Sequence, residues 1–278
     1  MNVQREKQTF CGAEYKEIDI YTANTNKAIG RSPRRCATLP KQQNLNDKNA
    51  RRYLVQLINT NFRDNTDYLL HLTYDNNNLP TTIEEAERNC RNFIRRLNYL
   101  LQKQAKENCR YIIVTSDTST KTGKPIRIHH HIILSCDLSE KEILKNWNYG
   151  RRNLNELQGR EDKYNKLVEY LKKNTGGKKR WVSSRGLKKP KVQTNDRKFT
   201  RRQIEKIAKA PPDLELWERI YKGWELIKSE NAFECTYNDL MGWHISLKLM
   251  KKKAVNLNCY NKKERQAQNL TAQKCKQR

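Results

Sequence analysis

Acidic residues are scarce in this chain of 278 residues: 30 Asp+Glu face 57 Lys+Arg, leaving a net charge of +27. A positive excess of this size repels itself in the compact state. The usual reason to tolerate it is a polyanionic partner that sheds counterions on binding, so nucleic acid is the expected partner. The eight cysteines include no C-x-x-C pair, which argues against a zinc ribbon or knuckle and fits scattered, reduced thiols. No apolar run is long enough to span a bilayer, and no hydrophobic signal segment opens the chain. A cytoplasmic setting without membrane contact is therefore expected. A G-x-x-x-x-G-K-[ST] phosphate loop is also missing, since Gly123-Lys124 runs into Pro125 and lacks the leading glycine. Unwinding a duplex then falls to another enzyme. Hydrophobic residues make up only 36% of the chain, enough for one core.

Residues 1–50 read as a polar, partly disordered segment rich in Asn, Gln and Lys, with a short helix at Arg51–Ile58. Order becomes legible at Tyr68–Tyr74, a strand closed by the turn Asp75-Asn76-Asn77-Asn78. Thr81 and Thr82 each precede a glutamate by three residues, a helix-start signature. Ile83, Ala86, Cys90, Phe93, Ile94, Leu97 and Leu101 then recur at helical spacing. Tyr111–Thr115 and Ile126–Leu134 read as strands on either side of the turn Thr122-Gly123-Lys124-Pro125. Ser139 with Glu142 caps another helix, residues 161–174 form a third, and Lys179–Ser183 a last strand. This order predicts an α+β domain over 51–195, its mainly antiparallel sheet flanked by helices. Pro211-Pro212 marks a boundary. The spacing of Trp217, Ile220, Trp224 and Ile227 predicts a helical appendage within 196–253, ahead of a mobile tail at 254–278.

Basic residues concentrate late in the α+β region. Lys172, Lys178, Lys179, Arg180, Arg185, Lys188 and Lys189 open a run that continues through Arg197, Lys198, Arg201 and Arg202, with only Asp196 opposing. A solvated face is rarely so one-sided, and the run reads as a DNA-backbone track.

Three of the five histidines lie in one apolar stretch, Ile126-Arg127-Ile128-His129-His130-His131-Ile132-Ile133-Leu134. On a strand alternate residues share a face. His130 then points with Ile126, Ile128, Ile132 and Leu134 toward the core, while His129 and His131 stand side by side on the other face. Two imidazoles so placed suit one divalent cation. Because the His130 position wants an apolar residue, His130→Leu is expected to be mild, or even stabilising for an imidazole buried without a partner. In the helix at 161–174, Tyr170 falls beside Leu167 at the edge of the apolar stripe, with Lys173 one turn on toward solvent. The tyrosine is thus placed to look across the sheet face, with the lysine ready to stabilise charge on a phosphate or a phenolate. Taken singly, each element also fits a packing role.

Together these elements resemble the HUH endonuclease superfamily, and more closely the rolling-circle replication initiators of small phages and plasmids. Three motifs match in order: Leu72-Thr73-Tyr74-Asp75 followed by Asn78-Leu79-Pro80, then His129-x-His131, then Tyr170-x-x-Lys173. The resemblance spans about residues 68–190. It implies a palm-like sheet and a transesterification assisted by Mg²⁺ or Mn²⁺, with Tyr170 as nucleophile. The products are a 5′-phosphotyrosyl enzyme and a free 3′-OH. It also implies an origin DNA, single-stranded or hairpin, a host helicase and polymerase as partners, and the cytoplasm of a bacterial host. The middle of the histidine pair departs from the pattern, being His130 instead of an aliphatic residue. Relatives often carry a glutamate on the preceding strand as a third ligand. Here Val114-Thr115-Ser116-Asp117 makes Asp117 the candidate, with His71 as the alternative. A conjugative relaxase would carry a further histidine soon after the pair, whereas the next one here is His244; small HUH transposases would be shorter. From another class, a non-catalytic origin-binding repressor would use the basic track alone.

Overall fold

The structure is a computed structural model that describes residues 2–25, 40–118, 122, 124–171, 181–210 and 213–252. In chain order the elements are β1 (Asn2–Cys11), β2 (Tyr15–Asn24), α1 (Pro40–Asn61), β3 (Tyr68–Thr73), α2 (Ile83–Lys103), β4 (Arg110–Thr118), β5 (Pro125–Ser135), α3 (Glu140–Lys145), β6 (Arg152–Glu156), α4 (Asn165–Leu171), β7 (Val182–Ser183), β8 (Lys191–Asn195), α5 (Arg201–Lys209), α6 (Leu214–Ile220), β9 (Trp224–Leu226), β10 (Phe233–Asn238) and β11 (Gly242–Lys251). They form two antiparallel sheets. One runs β6-β3-β5-β4-β7 and the other β10-β11-β2-β1-β8, with β9 also on β11. The α+β expectation, an antiparallel sheet flanked by helices, is borne out. No described helix is long and apolar enough to cross a membrane.

The first sheet is sandwiched by helices, and its strands alternate accordingly. Leu70, Leu72, Ile113, Ile132 and Leu134 pack on Phe93, Ile94, Leu97 and Leu101 of α2 and on Ile143 and Trp147. Each such buried side chain stabilises the fold by about 1.5–3 kcal/mol. The start of α2 follows the sequence signature: the Thr82 hydroxyl accepts from Glu85 N at 3.2 Å, and the Glu85 carboxylate accepts from Thr81 N at 2.9 Å. On the opposite face Ile112, Val114 and Ile133 meet Leu54 and Ile58 of α1 and Val168 and Leu171 of α4. Cys11 and Tyr15 of the second sheet join that same cluster, so α1 lies against both sheets.

Residues 2–24 depart from the partly disordered segment expected. They form the β1–β2 hairpin, and α1 begins at 40, well before Arg51. Their polarity concealed burial of charge. Glu17 and Asp19 on β2 are buried beneath α1, where the Arg52 guanidinium donates to Asp19 at 2.8 and 2.9 Å and also to Glu17. On the other face Lys16 lies 4.3 Å from the Trp224 ring and 4.8 Å from that of Tyr221. Such pairs make buried charge tolerable and erase the apolar alternation by which strands are recognised.

The appendage expected to be helical is corrected as well. Only Arg201–Lys209 and Leu214–Ile220 are helices, and Trp224, Ile227 and the residues to 251 belong to strands or their connections. Gly223, at φ +79°, turns the chain out of α6, and Ile245, Leu247 and Leu249 then alternate as fully buried strand residues. The strand β6 went unrecognised because it is an edge strand with only Leu154 half-buried. The helix expected over 161–174 is described as Asn165–Leu171; Arg160, Lys163 and Tyr164 precede it at positive φ. The expected tail at 254–278 lies outside the described residues.

Candidate active site

β5 places its histidines as the strand period demands. In the β3–β5 register His71 lies opposite His131, Thr73 opposite His129 and Leu72 opposite His130. Residues directly opposite share a face, so His71, His129 and His131 converge on the α4 side. One ligand nitrogen from each lies within 4.8 Å of the others. The His71 and His131 rings stack at 4.7 Å, while His129 stands edge-on to both at 5.2 and 5.1 Å. His129 Nδ1 is 2.9 Å from the Arg127 carbonyl, which can only accept, so Nδ1 carries the proton and Nε2 offers its lone pair. Burial, and then the neighbouring His71, His129 and His130, push His131 down to about 3. Burial and His129 lower His71 as well. The cluster therefore favours neutral imidazoles, the form that ligates a metal.

His71 takes the place expected of Asp117. Asp117 sits on β4 where the pairing shifts between Ser116 and Thr118, and it is not a member of the imidazole group. The register explains the difference: only β3 sets a histidine directly across from His131.

Tyr170, on α4, meets this cluster. Its ring centroid is 5.2 Å from that of His131 at 73°, and the side chain is 53% exposed. Val168 and Leu171 anchor the helix in the core, which holds Tyr170 over the histidine face. Tyr164 differs in every respect. It is buried, precedes the helix at φ +70° and donates its hydroxyl to Asp64, and burial followed by Asp64 pushes its phenol well above the usual range. Lys173, Lys172, Lys178, Lys179 and Arg180 lie outside the described residues. Arg185, Lys188 and Lys189 are exposed on the connection from β7 to β8.

On the opposite face His130 is fully buried, and the expectation that it lacks a partner does not hold. Tyr74 Oη lies 2.9 Å from its Nε2 and Thr115 Oγ1 2.9 Å from its Nδ1. Burial, then His129, pushes its pKa down to about 3, so a neutral ring with one donor and one acceptor nitrogen satisfies both hydroxyls. The aliphatic slot expected here is a polar socket inside an apolar cluster.

The first motif builds the end of β3. Trp147 Nε1 donates to Thr73 O at 2.9 Å, Arg127 reaches Tyr74 O at 2.9 Å, and Asp75 Oδ1 accepts from Asn78 N at 2.9 Å. Gly150 lies against this turn so closely that a Cβ there would fall 2.6 Å from Asp75 N and Thr73 O. Backbone atoms cannot yield as a flexible side chain does. Gly150→Ala is expected to cost about 1–3 kcal/mol by overpacking, read as a lowered midpoint in denaturant unfolding; an unchanged midpoint would show that the turn is free to move.

The family model for Replication-associated protein ORF2/gene 2 protein matches residues 67–175, the stretch that holds β3 to α4 and the whole histidine–tyrosine cluster. No curated protein and no solved structure matches the chain. The matched region, under half of the chain, is consistent with a rolling-circle replication initiator.

Proposed function

We propose that this chain initiates replication by nicking one DNA strand through tyrosine transesterification. One observation carries the reading: the exposed phenol of Tyr170 stands against His131, within a cluster of three imidazoles able to share one ion. The donor set fits a divalent transition ion. Three neutral nitrogens suit Mn²⁺ better than Mg²⁺, which favours oxygen ligands and keeps its waters. When bound, such an ion supplies Lewis-acid polarisation of a phosphoryl oxygen.

The chain's own residues do the rest. His71, His129 and His131 hold the ion and fix its place on the sheet. Tyr170 gives up its phenolic proton and attacks phosphorus; as the phosphotyrosyl bond forms, the bond to the 3′ oxygen breaks, and that oxygen leaves as a 3′-OH after gaining a proton. Lys173, two residues beyond the described end of α4, is assigned to stabilise the charge that develops. The 5′ end stays on the enzyme, the phosphodiester energy is retained, and the strand can be rejoined. The 3′-OH primes a host polymerase while a host helicase unwinds, in a bacterial cytoplasm. Incubation with single-stranded DNA and Mn²⁺ should give an adduct that survives SDS. Tight binding with no adduct would instead favour a non-catalytic repressor.

The charge makes a separate prediction. Six to ten phosphate contacts would cost about 10³–10⁵ in affinity between 50 and 200 mM salt. A titration giving a nearly flat log–log slope would show that the basic track faces something other than DNA.

A further inference from the structure

We infer that the open end of the second sheet, between the β10–β11 hairpin and the start of α5, is a contact site for single-stranded DNA, apart from the histidine cluster. It rests on the chain handling single-stranded DNA and not on the nicking chemistry.

Phe199, Ile204 and Trp217 cover one face of this sheet, packing on Ile18, Ile20, Ile245 and Leu247. That cover stops short of the sheet's end. Cys235 lies opposite Ile245, and the next pair on the same face is Tyr237 opposite Trp243. Their rings lie 5.0 Å apart at 59°, with Tyr237 57% exposed. A groove of about 360 Å³ separates this pair from α5, with Arg201 and Gln4 on its walls. Past the pair, the hairpin tip holds Leu240 at 90% exposure and Met241 at 52%. Contiguous exposed aromatic and apolar side chains of this kind mark a contact surface.

The surrounding charge selects the partner. Asp196 is held by Arg5 through two 2.7 Å bonds, and Glu205 by Lys209 at 2.6 Å, so these acids are already matched. Arg201 and Arg202 open α5, both exposed. The exposed cations Arg185, Lys188, Lys189, Lys191 and Arg197 lead toward them from β7, the edge of the histidine sheet. A phosphate track that ends on an aromatic pair fits a single strand, whose bases stack on rings while its backbone follows the cations. In a duplex the base faces are already stacked. Asp239, on the groove wall, fits an exocyclic amino group of a base.

The test uses the full chain and oligo(dT) strands carrying 5-iodouracil. Irradiation should crosslink the DNA to Tyr237, Met241 or Trp243, mapped by mass spectrometry. Tyr237→Ala should weaken oligo(dT) binding by about 5- to 150-fold, the range for one stacked base. Tyr237→Trp should restore it, and duplex affinity should not move. Unchanged oligo(dT) affinity in Tyr237→Ala with no crosslink on the hairpin would overturn the inference. So would equal losses for duplex and single strand, or a dimer in sedimentation that Leu240→Ser dissolves. Repeating the measurements in Tyr170→Phe protein keeps them independent of nicking, so failure of the chemistry and failure of this surface give different results.

Discussion

Tyr170→Phe is expected to yield no SDS-resistant DNA adduct, a loss of at least about 10³-fold, while DNA affinity stays essentially as in the unsubstituted protein. The substitution removes one oxygen and leaves the ring that packs 5.2 Å from His131, so the helix and the histidine face keep their positions. The control is Tyr164→Phe. That hydroxyl donates to Asp64 in a buried setting, and its loss should cost stability by about 1–3 kcal/mol without removing the adduct from the folded fraction. If adduct yield instead follows Tyr164 and ignores Tyr170, the nucleophile has been assigned to the wrong tyrosine.

The histidines should separate into two classes. Alanine at His71, His129 or His131 removes one of three ligand nitrogens, and Mn²⁺ affinity measured by calorimetry should fall by at least about 100-fold. That exceeds the 10–100-fold typical of losing a group that merely supports a ligand. Nicking should disappear with it, EDTA should have the same effect on unsubstituted protein, and added Mn²⁺ should rescue only the latter. His130→Leu belongs to the other class. It should retain the metal and the chemistry but strand the hydroxyls of Tyr74 and Thr115, lowering stability by about 1–3 kcal/mol. A His130→Leu protein that is stable but no longer binds Mn²⁺, beside a His129→Ala protein that still does, would overturn the site. The contribution of His71 is the most informative arm, because the sequence motif alone names only His129 and His131.

Much of this was readable from sequence where one rule governed one element. The strand period assigned His129 and His131 to one face and His130 to the other, and the α2 stripe from Ala86 to Leu101 is buried as its spacing requires. His71 was harder to rank. Its partnership depends on the β3–β5 register, and neither strand states that register in its own residues. The partners of His130 were invisible for a similar reason, since Tyr74 and Thr115 reach it from two other strands or strand ends. The second sheet escaped notice because its inner strand β2 buries Glu17 and Asp19, and local polarity there reports an ion network instead of solvent. In β11 the alternation of Ile245, Leu247 and Leu249 was present, but the helical spacing of Trp217, Ile220, Trp224 and Ile227 competed with it.

The second sheet also imposes a timetable on synthesis. β2 emerges from the ribosome first, yet its outer neighbour is β11, whose pairs run from Ile245 to Met250. The outer edge of β1 waits for Lys191–Asn195. At about 5–20 residues per second, translation leaves that hairpin with exposed edges for on the order of ten seconds or more. Unpaired strand edges template aggregation, and the lysines and glutamates spaced along β1 and β2 are the residues that oppose it during the wait. A chain terminated before β11 would carry that exposure permanently, so truncations from the C-terminal side should fail through insolubility even when they spare every residue of the histidine cluster.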